Sequence, residues 1–263
     1  MTSAPAWLSE RPFAHRGLHG AGLPENSLAA VDAAIAAGYG IEIDVLGSAD
    51  GEVLVFHDDD LERMTARPGR LDGLPSAALA ELRLADSDEA IPSLAQVLER
   101  VADRVPLLIE IKARDTGASR GAGRLEAAAW QVLRDYRGRF AVQSFNPLSL
   151  YRFRRLAPAV PRGQISGDFR HTKLPGGWPA KVLARRFAFN WLSRPHFIVD
   201  DVGRQPCAAA QRLRHRLPLL LYTVRSAAQQ ETAGHFADNI IFEEVRPQLR
   251  LPGAALELVS MTE

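Results

Sequence analysis

Two histidines and three carboxylates close short apolar runs in this chain, and an arginine and a lysine stand beside them. The segments are Phe13-Ala14-His15-Arg16-Gly17, Gly40-Ile41-Glu42-Ile43-Asp44, Val53-Leu54-Val55-Phe56-His57-Asp58 and Leu107-Leu108-Ile109-Glu110-Ile111-Lys112. Glu42 and Asp44 are two apart on an extended run, so both side chains point to one face. Two neighbouring carboxylates repel, and both ionise near neutral pH only if a cation lies between them. Oxygen donors of this kind suit Ca²⁺ or Mg²⁺, with Mn²⁺ as a third candidate, far better than zinc. Glu110 can add a third oxygen. Taken alone, the pair alternating with Ile41, Ile43 and Val45 also fits surface acids on an edge strand. Five ionisable groups in matching contexts favour a site.

Two imidazoles that titrate near neutrality can take a proton from an attacking oxygen and give one to a leaving oxygen. His15 and His57 therefore suit cleavage of a phosphodiester. Arg16 and Lys112 suit its nonbridging oxygens, the first through a planar fork and the second as a point charge. Arg16 is also placed for an ordinary salt bridge to a site acid.

Residues so far apart in sequence need a frame that gathers them. Short apolar runs alternate with helical stretches, which argues for parallel strands joined by helical crossovers. Extended runs fall at 12–15, 40–45, 106–112, 140–143, 162–165, 196–199, 218–223 and 239–242. Helical stretches fall at about 27–37, 93–101, 124–136, 147–156, 179–191, 208–216 and 227–236, with Asn26 or Ser27 as N-cap of the first and Ser93 of the second. Eight such strands make a TIM (β/α)8 barrel of the α/β class, whose strand carboxyl ends meet at one rim. The run 53–57 follows the turn Ala49-Asp50-Gly51 and reads as a hairpin-like excursion. From 58 to 91 the periodicity fades and Gly and Pro accumulate, so the stretch of about 46–91 is a small cap insertion after the second strand. No linker separates two folded units, and 1–263 reads as one domain.

At 263 residues the chain can bury a large core. Its 32 Lys and Arg against 31 Asp and Glu leave a charge of +1, which gives no support to nucleic-acid binding through a broad basic field. Arginine clusters at 152–155, 185–186 and 212–216 read as solvated helix faces. Cys207 is the only cysteine, so neither an intrachain disulfide nor a cysteine zinc site can form, and it reads as a small apolar residue. The first eleven residues lack the pattern of a signal peptide, and no apolar run is long enough to span a bilayer. The expectation is a cytoplasmic enzyme without stable membrane insertion; its oligomeric state is open.

The segments His15-Arg16-Gly17, Pro24-Glu25-Asn26-Ser27, Glu42-Ile43-Asp44, His57-Asp58 with Leu61-Glu62-Arg63-Met64-Thr65, Ile91-Pro92-Ser93-Leu94, Glu110-Ile111-Lys112 and Gln143-Ser144-Phe145 occur in an order and spacing that resembles the glycerophosphodiester phosphodiesterase family. The resemblance implies a TIM barrel hydrolysing glycerophosphodiesters to sn-glycerol 3-phosphate and an alcohol with one divalent cation. It also implies that Glu42, Asp44 and Glu110 ligate that cation, and that His15 and His57 form the acid–base pair, with His15 as acceptor and His57 as donor. The chain leaves the family pattern near its C-terminus, with Tyr222-Thr223-Val224-Arg225 for the usual Trp-Thr-Val-Asn and Phe242-Glu243 for Thr-Asp. Tyr222 and Phe242 are accordingly expected to touch the organic part of the substrate. Trp178 and Trp191, flanking Gly176-Gly177, read as packing residues before they read as pocket lining. Two other activities fit the same residues, a lysophospholipase D-type reaction and a catalytically silent barrel that binds phosphodiesters. The first needs an apolar or interfacial surface, and no such anchor is evident in the sequence.

Overall fold

The computed structural model describes residues 3–113, 123–169 and 177–249. In chain order the elements are β1 (Phe13–Ala14), α1 (Leu28–Ala36), β2 (Gly40–Gly47), β3 (Val53–Val55), α2 (Glu62–Thr65), α3 (Ser76–Ala80), α4 (Leu94–Val101), β4 (Leu107–Ile111), α5 (Arg124–Leu133) and β5 (Phe140–Ser144). They continue with α6 (Pro147–Leu156), β6 (Arg162–Ile165), α7 (Gly177–Arg185), α8 (Asn190–Ser193), β7 (Phe197–Asp201), α9 (Ala208–Arg214), β8 (Leu219–Val224), α10 (Ala227–Phe236) and β9 (Asn239–Phe242). β1 pairs in parallel with both β2 and β9, and the parallel ladder β2-β4-β5-β6-β7-β8-β9 completes the circle. The fold is a TIM barrel of eight parallel strands, and β3 is an antiparallel addition on β2.

Burial on both faces explains the strand sequences. Ile41, Ile43, Val45, Ile109 and Ile111 point outward and pack under the helices with Val31, Val97 and Leu133. Phe13, Leu108, Ile165, Phe197, Leu220 and Ile241 fill the barrel interior, which Leu8 closes from below. The inward positions two residues beyond this floor carry the polar groups. Asp44 lies in register with Glu110, and Glu110 with Gln143, so three adjacent strands present their polar side chains at one level of the rim.

The insertion has a core of its own, in which Leu46, Leu54, Phe56, Leu61, Leu71, Leu79 and Leu84 bury one another. β3 turns back on β2 with Val55 opposite Val45, and the Phe56 N–H donates to the Asp44 carbonyl at 3.0 Å. That pairing carries His57 to the rim. Ser27 and Ser93 cap α1 and α4 as expected, the latter in a reciprocal box with Gln96. The stretch 179–191 departs from the single helix expected there. Phe187 is buried with φ of 56°, and the chain breaks into α7 and α8 to seat that ring in the core. No described helix is long and apolar enough to cross a membrane.

One buried group gives the fold a pH dependence. His196 is 7% exposed, and its Nδ1 accepts the Arg162 backbone N–H at 3.1 Å. Burial, then the Arg162 guanidinium, lowers its pKa from 6.5 to about 4. Between those values the unfolded chain binds the extra proton. Stability from this site is therefore complete above about pH 6.5 and lost toward pH 4, a swing of about 3 kcal/mol. His196→Asn, whose side-chain oxygen can still accept from Arg162, should flatten the fall of Tm between neutral and acid pH. Parallel wild-type and variant profiles would contradict this role.

Candidate active site

The turn after β1 sets the geometry of the rim. Arg16 and Gly17 both have positive φ, 56° and 80°, and a Cβ on Gly17 would lie 2.9 Å from the Ala30 backbone. Only glycine fits there. The turn aims the Arg16 backbone N–H at Glu42 Oε2, 3.2 Å away, while Gln143 Nε2 donates to Glu42 Oε1 at 3.2 Å. Asn26, also at positive φ, holds Asp44 twice: its Nδ2 donates to Oδ2 at 3.1 Å and its Oδ1 accepts the Asp44 N–H at 3.3 Å.

Glu42 and Asp44 are each 1% exposed and Glu110 9%, which removes the edge-strand alternative for the pair. One oxygen from each of the three lies within 4.8 Å of the others. Lys112 Nζ sits 3.2 Å from both Asp44 and Glu110, and Arg16 Nε is 3.4 Å from Asp44. Burial alone would raise the Asp44 carboxyl, but Lys112, then His57, Arg16 and His15, hold it below the usual range. Glu42 goes the other way. Burial, followed by the charges of Asp44 and Glu110, pushes it well above the range of an ordinary glutamate. Glu110 is raised mainly by burial. Gln143 Oε1, on the amide that touches Glu42, is buried without a hydrogen-bond partner. Three acids against two nearby cations, with an unsatisfied oxygen on the adjoining amide, make a donor set that fits a hard divalent cation.

Each histidine is braced by a carboxylate. His15 Nδ1 lies 2.6 Å from Glu243 Oε2, and His57 Nδ1 lies 2.6 Å from Asp58 Oδ1. With Nδ1 committed to a carboxylate, Nε2 is the nitrogen left to exchange protons. Burial lowers both imidazoles below the ordinary value, against the opposing pull of Glu243 on His15 and of Asp44 on His57. Each brace is fixed in turn. Arg225 bonds Glu243, with His19 Nε2 3.5 Å away on the same carboxylate, and Arg63 ties Asp58 to Glu25. Glu25 also holds Arg16, at 2.8 Å. The cap is thereby clamped to the β1 turn.

The nine residues singled out from the sequence do not all meet at one point. His15, Arg16, Glu42, Asp44, His57, Glu110 and Lys112 converge. Tyr222 stands across the rim, its hydroxyl donating to the Ser166 carbonyl at 2.9 Å and its ring edge-on to Phe145 at 6.0 Å. Phe242 does not reach the pocket: it is 1% exposed and stacks edge-on with Tyr39 in the outer core, at 4.7 Å between centroids. An inward-outward alternation at the end of β9 forces this, since Glu243 takes the rim. Glu243, Asp58, Asn26 and Gln143 hold the candidate side chains in place, and the sequence showed them only as motif neighbours. The one available signal was that Arg225 and Glu243 replace uncharged Asn and shorter Asp together.

Comparison with known proteins identifies the family and the fold. The sequence model of the glycerophosphoryl diester phosphodiesterase family matches residues 15–242. YhdW of Bacillus subtilis (strain 168) is 34% identical over 167 residues, 59% of this chain and 65% of YhdW, so the chain spans just under two thirds of that relative. A glycerophosphodiester phosphodiesterase of Bacillus altitudinis is 32% identical over 170 residues, covering 60% of this chain and 67% of the relative. Among solved structures, an Oleispira antarctica phosphodiesterase in complex with the product sn-glycerol-3-phosphate superposes with a TM-score of 0.75 at 23% identity, over 90% of this chain and 94% of that one. A glycerophosphodiester phosphodiesterase from Thermotoga maritima gives a TM-score of 0.69 at 22% identity, over 88% and 93%. These two likenesses establish the shared fold. With the family's model covering the barrel from His15 to Phe242, the chain belongs to the glycerophosphoryl diester phosphodiesterase family.

Proposed function

We propose that this protein hydrolyses glycerophosphodiesters to sn-glycerol 3-phosphate and an alcohol, with one divalent cation, Ca²⁺ or Mg²⁺, held by Glu42, Asp44 and Glu110. The observation that carries the reading is a pair of carboxylate-braced imidazoles, both within electrostatic reach of one buried three-acid cage. Family membership supports it. When bound, the cation supplies Lewis-acid polarisation of a phosphoryl oxygen.

The chain's own groups do the rest. Lys112 has three donors, two directed at Asp44 and Glu110, which leaves one for a nonbridging phosphate oxygen. The Arg16 fork, anchored by Glu25, offers its remaining donors to the other. His15 Nε2 takes the proton of the attacking oxygen, and His57 Nε2 gives one to the leaving alkoxide. One phosphorus–oxygen bond forms, the bond to the alcohol breaks, and the net reaction consumes one water. Glu243 and Asp58 keep the Nδ1 protons in place throughout.

A coupled assay for sn-glycerol 3-phosphate, run over diesters with different headgroups, together with an assay for choline released from lysophosphatidylcholine, tests this reading. Release from water-soluble diesters is expected. Release from none would leave a binding barrel, and release from the lysolipid alone would select the lysophospholipase D-type reaction. Tyr222 gives a finer prediction, because its hydroxyl is tied to Ser166 and only its ring faces a ligand. Tyr222→Trp should change the headgroup ranking with little change in the best rate. An unchanged ranking with a lower Tm would mean overpacking, which costs about 1–3 kcal/mol, and would place Tyr222 in the core.

A further inference from the structure

Among the described residues, the three most exposed large hydrophobic side chains lie on α7 and α8. Trp178 is 75% exposed, Trp191 72% and Leu183 44%, and no residue of α7 is buried. At 100° per residue, Trp178, Val182, Pro179 and Leu183 share an arc of about 140°, and Arg186 follows in the turn. Exposed indole on a short helix needs a reason, since the ring would be stabilised by burial wherever the core could receive it. The charge around it is one-sided. From Gly177 to Val199 the sequence holds Lys181, Arg185, Arg186 and Arg194 and no aspartate or glutamate. Over the whole chain the two signs are nearly balanced, 32 against 31.

The helix also lies beside the rim. Ser166 Oγ donates to the Ala184 carbonyl at 3.1 Å, Arg204 donates to the Arg185 carbonyl at 2.9 Å, and Arg185 reaches Asp168 at 3.4 Å. Ser166 is the residue whose carbonyl takes the Tyr222 hydroxyl. The C-terminal end of α7 is therefore one hydrogen-bonded step from the mouth of the barrel. A tight turn through Phe187, in which the Leu183 carbonyl accepts the Ala188 N–H at 3.0 Å, sets α8 directly after it.

We propose that α7 and α8 form a docking surface for an anionic phospholipid bilayer, with Trp178, Leu183 and Trp191 entering the headgroup region and Arg186 and Arg194 meeting lipid phosphates. Indole rings belong at that depth, and basic side chains are drawn to anionic leaflets. A protein partner is the weaker match, because the apolar groups are spaced singly among cations and form no contiguous groove. Docking would be peripheral and reversible.

The test is co-sedimentation of the full chain with sucrose-loaded vesicles of phosphatidylcholine alone or mixed with phosphatidylglycerol, at low and high salt. Binding to the anionic vesicles, weakened by salt, is expected. Trp178→Ser with Trp191→Ser, and separately Arg186→Glu with Arg194→Glu, should each lower partitioning at least about tenfold while the melting curves stay at wild type. Quenching of tryptophan fluorescence by brominated lipid should disappear in the first pair. Wild-type protein that ignores anionic vesicles at low salt would overturn the proposal, as would binding unchanged in both pairs. A concentration-dependent dimer abolished by the tryptophan substitutions, without vesicle binding, would assign this face to a second copy. None of these outcomes depends on the proposed activity, so the two readings fail separately.

Discussion

Glu42→Ala and Asp44→Ala are each expected to abolish turnover, and added metal at ordinary concentrations should not restore it. Both side chains are buried, and with Glu110 they supply all three carboxylates of the cage. Removing one leaves a hard cation with too few oxygens in a place water reaches poorly. The two losses differ in their side effects. Without Glu42, the Arg16 N–H and Gln143 Nε2 lose their acceptor, at about 1–3 kcal/mol for each buried donor left unpaired. Without Asp44, Lys112, Arg16 and Asn26 all lose a partner, and excess positive charge stays behind. Asp44→Asn is therefore the cleaner variant: it keeps an oxygen for Lys112 and removes the charge a cation needs. Cation titration by calorimetry, with circular dichroism as the folding control, separates lost binding from lost fold. Turnover near wild type in any of these variants would remove the acids from the site.

The histidines come next in expected effect. Positioned acid–base catalysis contributes about 10²–10⁴-fold per group, so His15→Ala and His57→Ala should each lose at least that in kcat with the fold intact. The role of each is separable by leaving group. With p-nitrophenolate, which departs without a proton, the variant lacking the donor, His57→Ala, should recover part of its rate, and His15→Ala should not. Equal recovery would undo the division of roles while leaving the pair in place. The structure braces both rings alike, through Glu243 and Asp58, so their geometry does not itself choose between acceptor and donor.

The barrel and its polar rim were legible because their signals are local. A run such as Leu107-Leu108-Ile109 that ends in Glu110 reports a strand buried on both faces, whose last inward position meets the site. The caps at Ser27 and Ser93 were legible for the same reason. What the sequence hid depends on contacts between distant segments. The Glu243 brace needs β1 beside β9 and is settled only when the barrel closes. The separate core of the insertion draws single leucines from six places between 46 and 84, with no period to betray them. The break at Phe187 arises because a ring finds space in the core at the expense of helical backbone. Phe242 faces the outer core because its neighbour Glu243 takes the inward position of the alternation, where it braces His15. Trp178 and Trp191, read from the sequence as packing residues, are instead exposed, because a tryptophan in sequence looks the same whether buried or bare.

The claim on which the rest depends is that hydrolysis needs a cation held by Glu42, Asp44 and Glu110. The most direct measurement is the rate of sn-glycerol 3-phosphate release from glycerophosphocholine by the full chain, before and after EDTA, and again after Ca²⁺, Mg²⁺ or Mn²⁺ is returned in excess of chelator. The expected result is loss of turnover in EDTA and recovery with at least one of these ions, with no recovery in Asp44→Asn. Turnover in EDTA equal to the untreated rate would contradict it, and the three buried acids would then need another purpose.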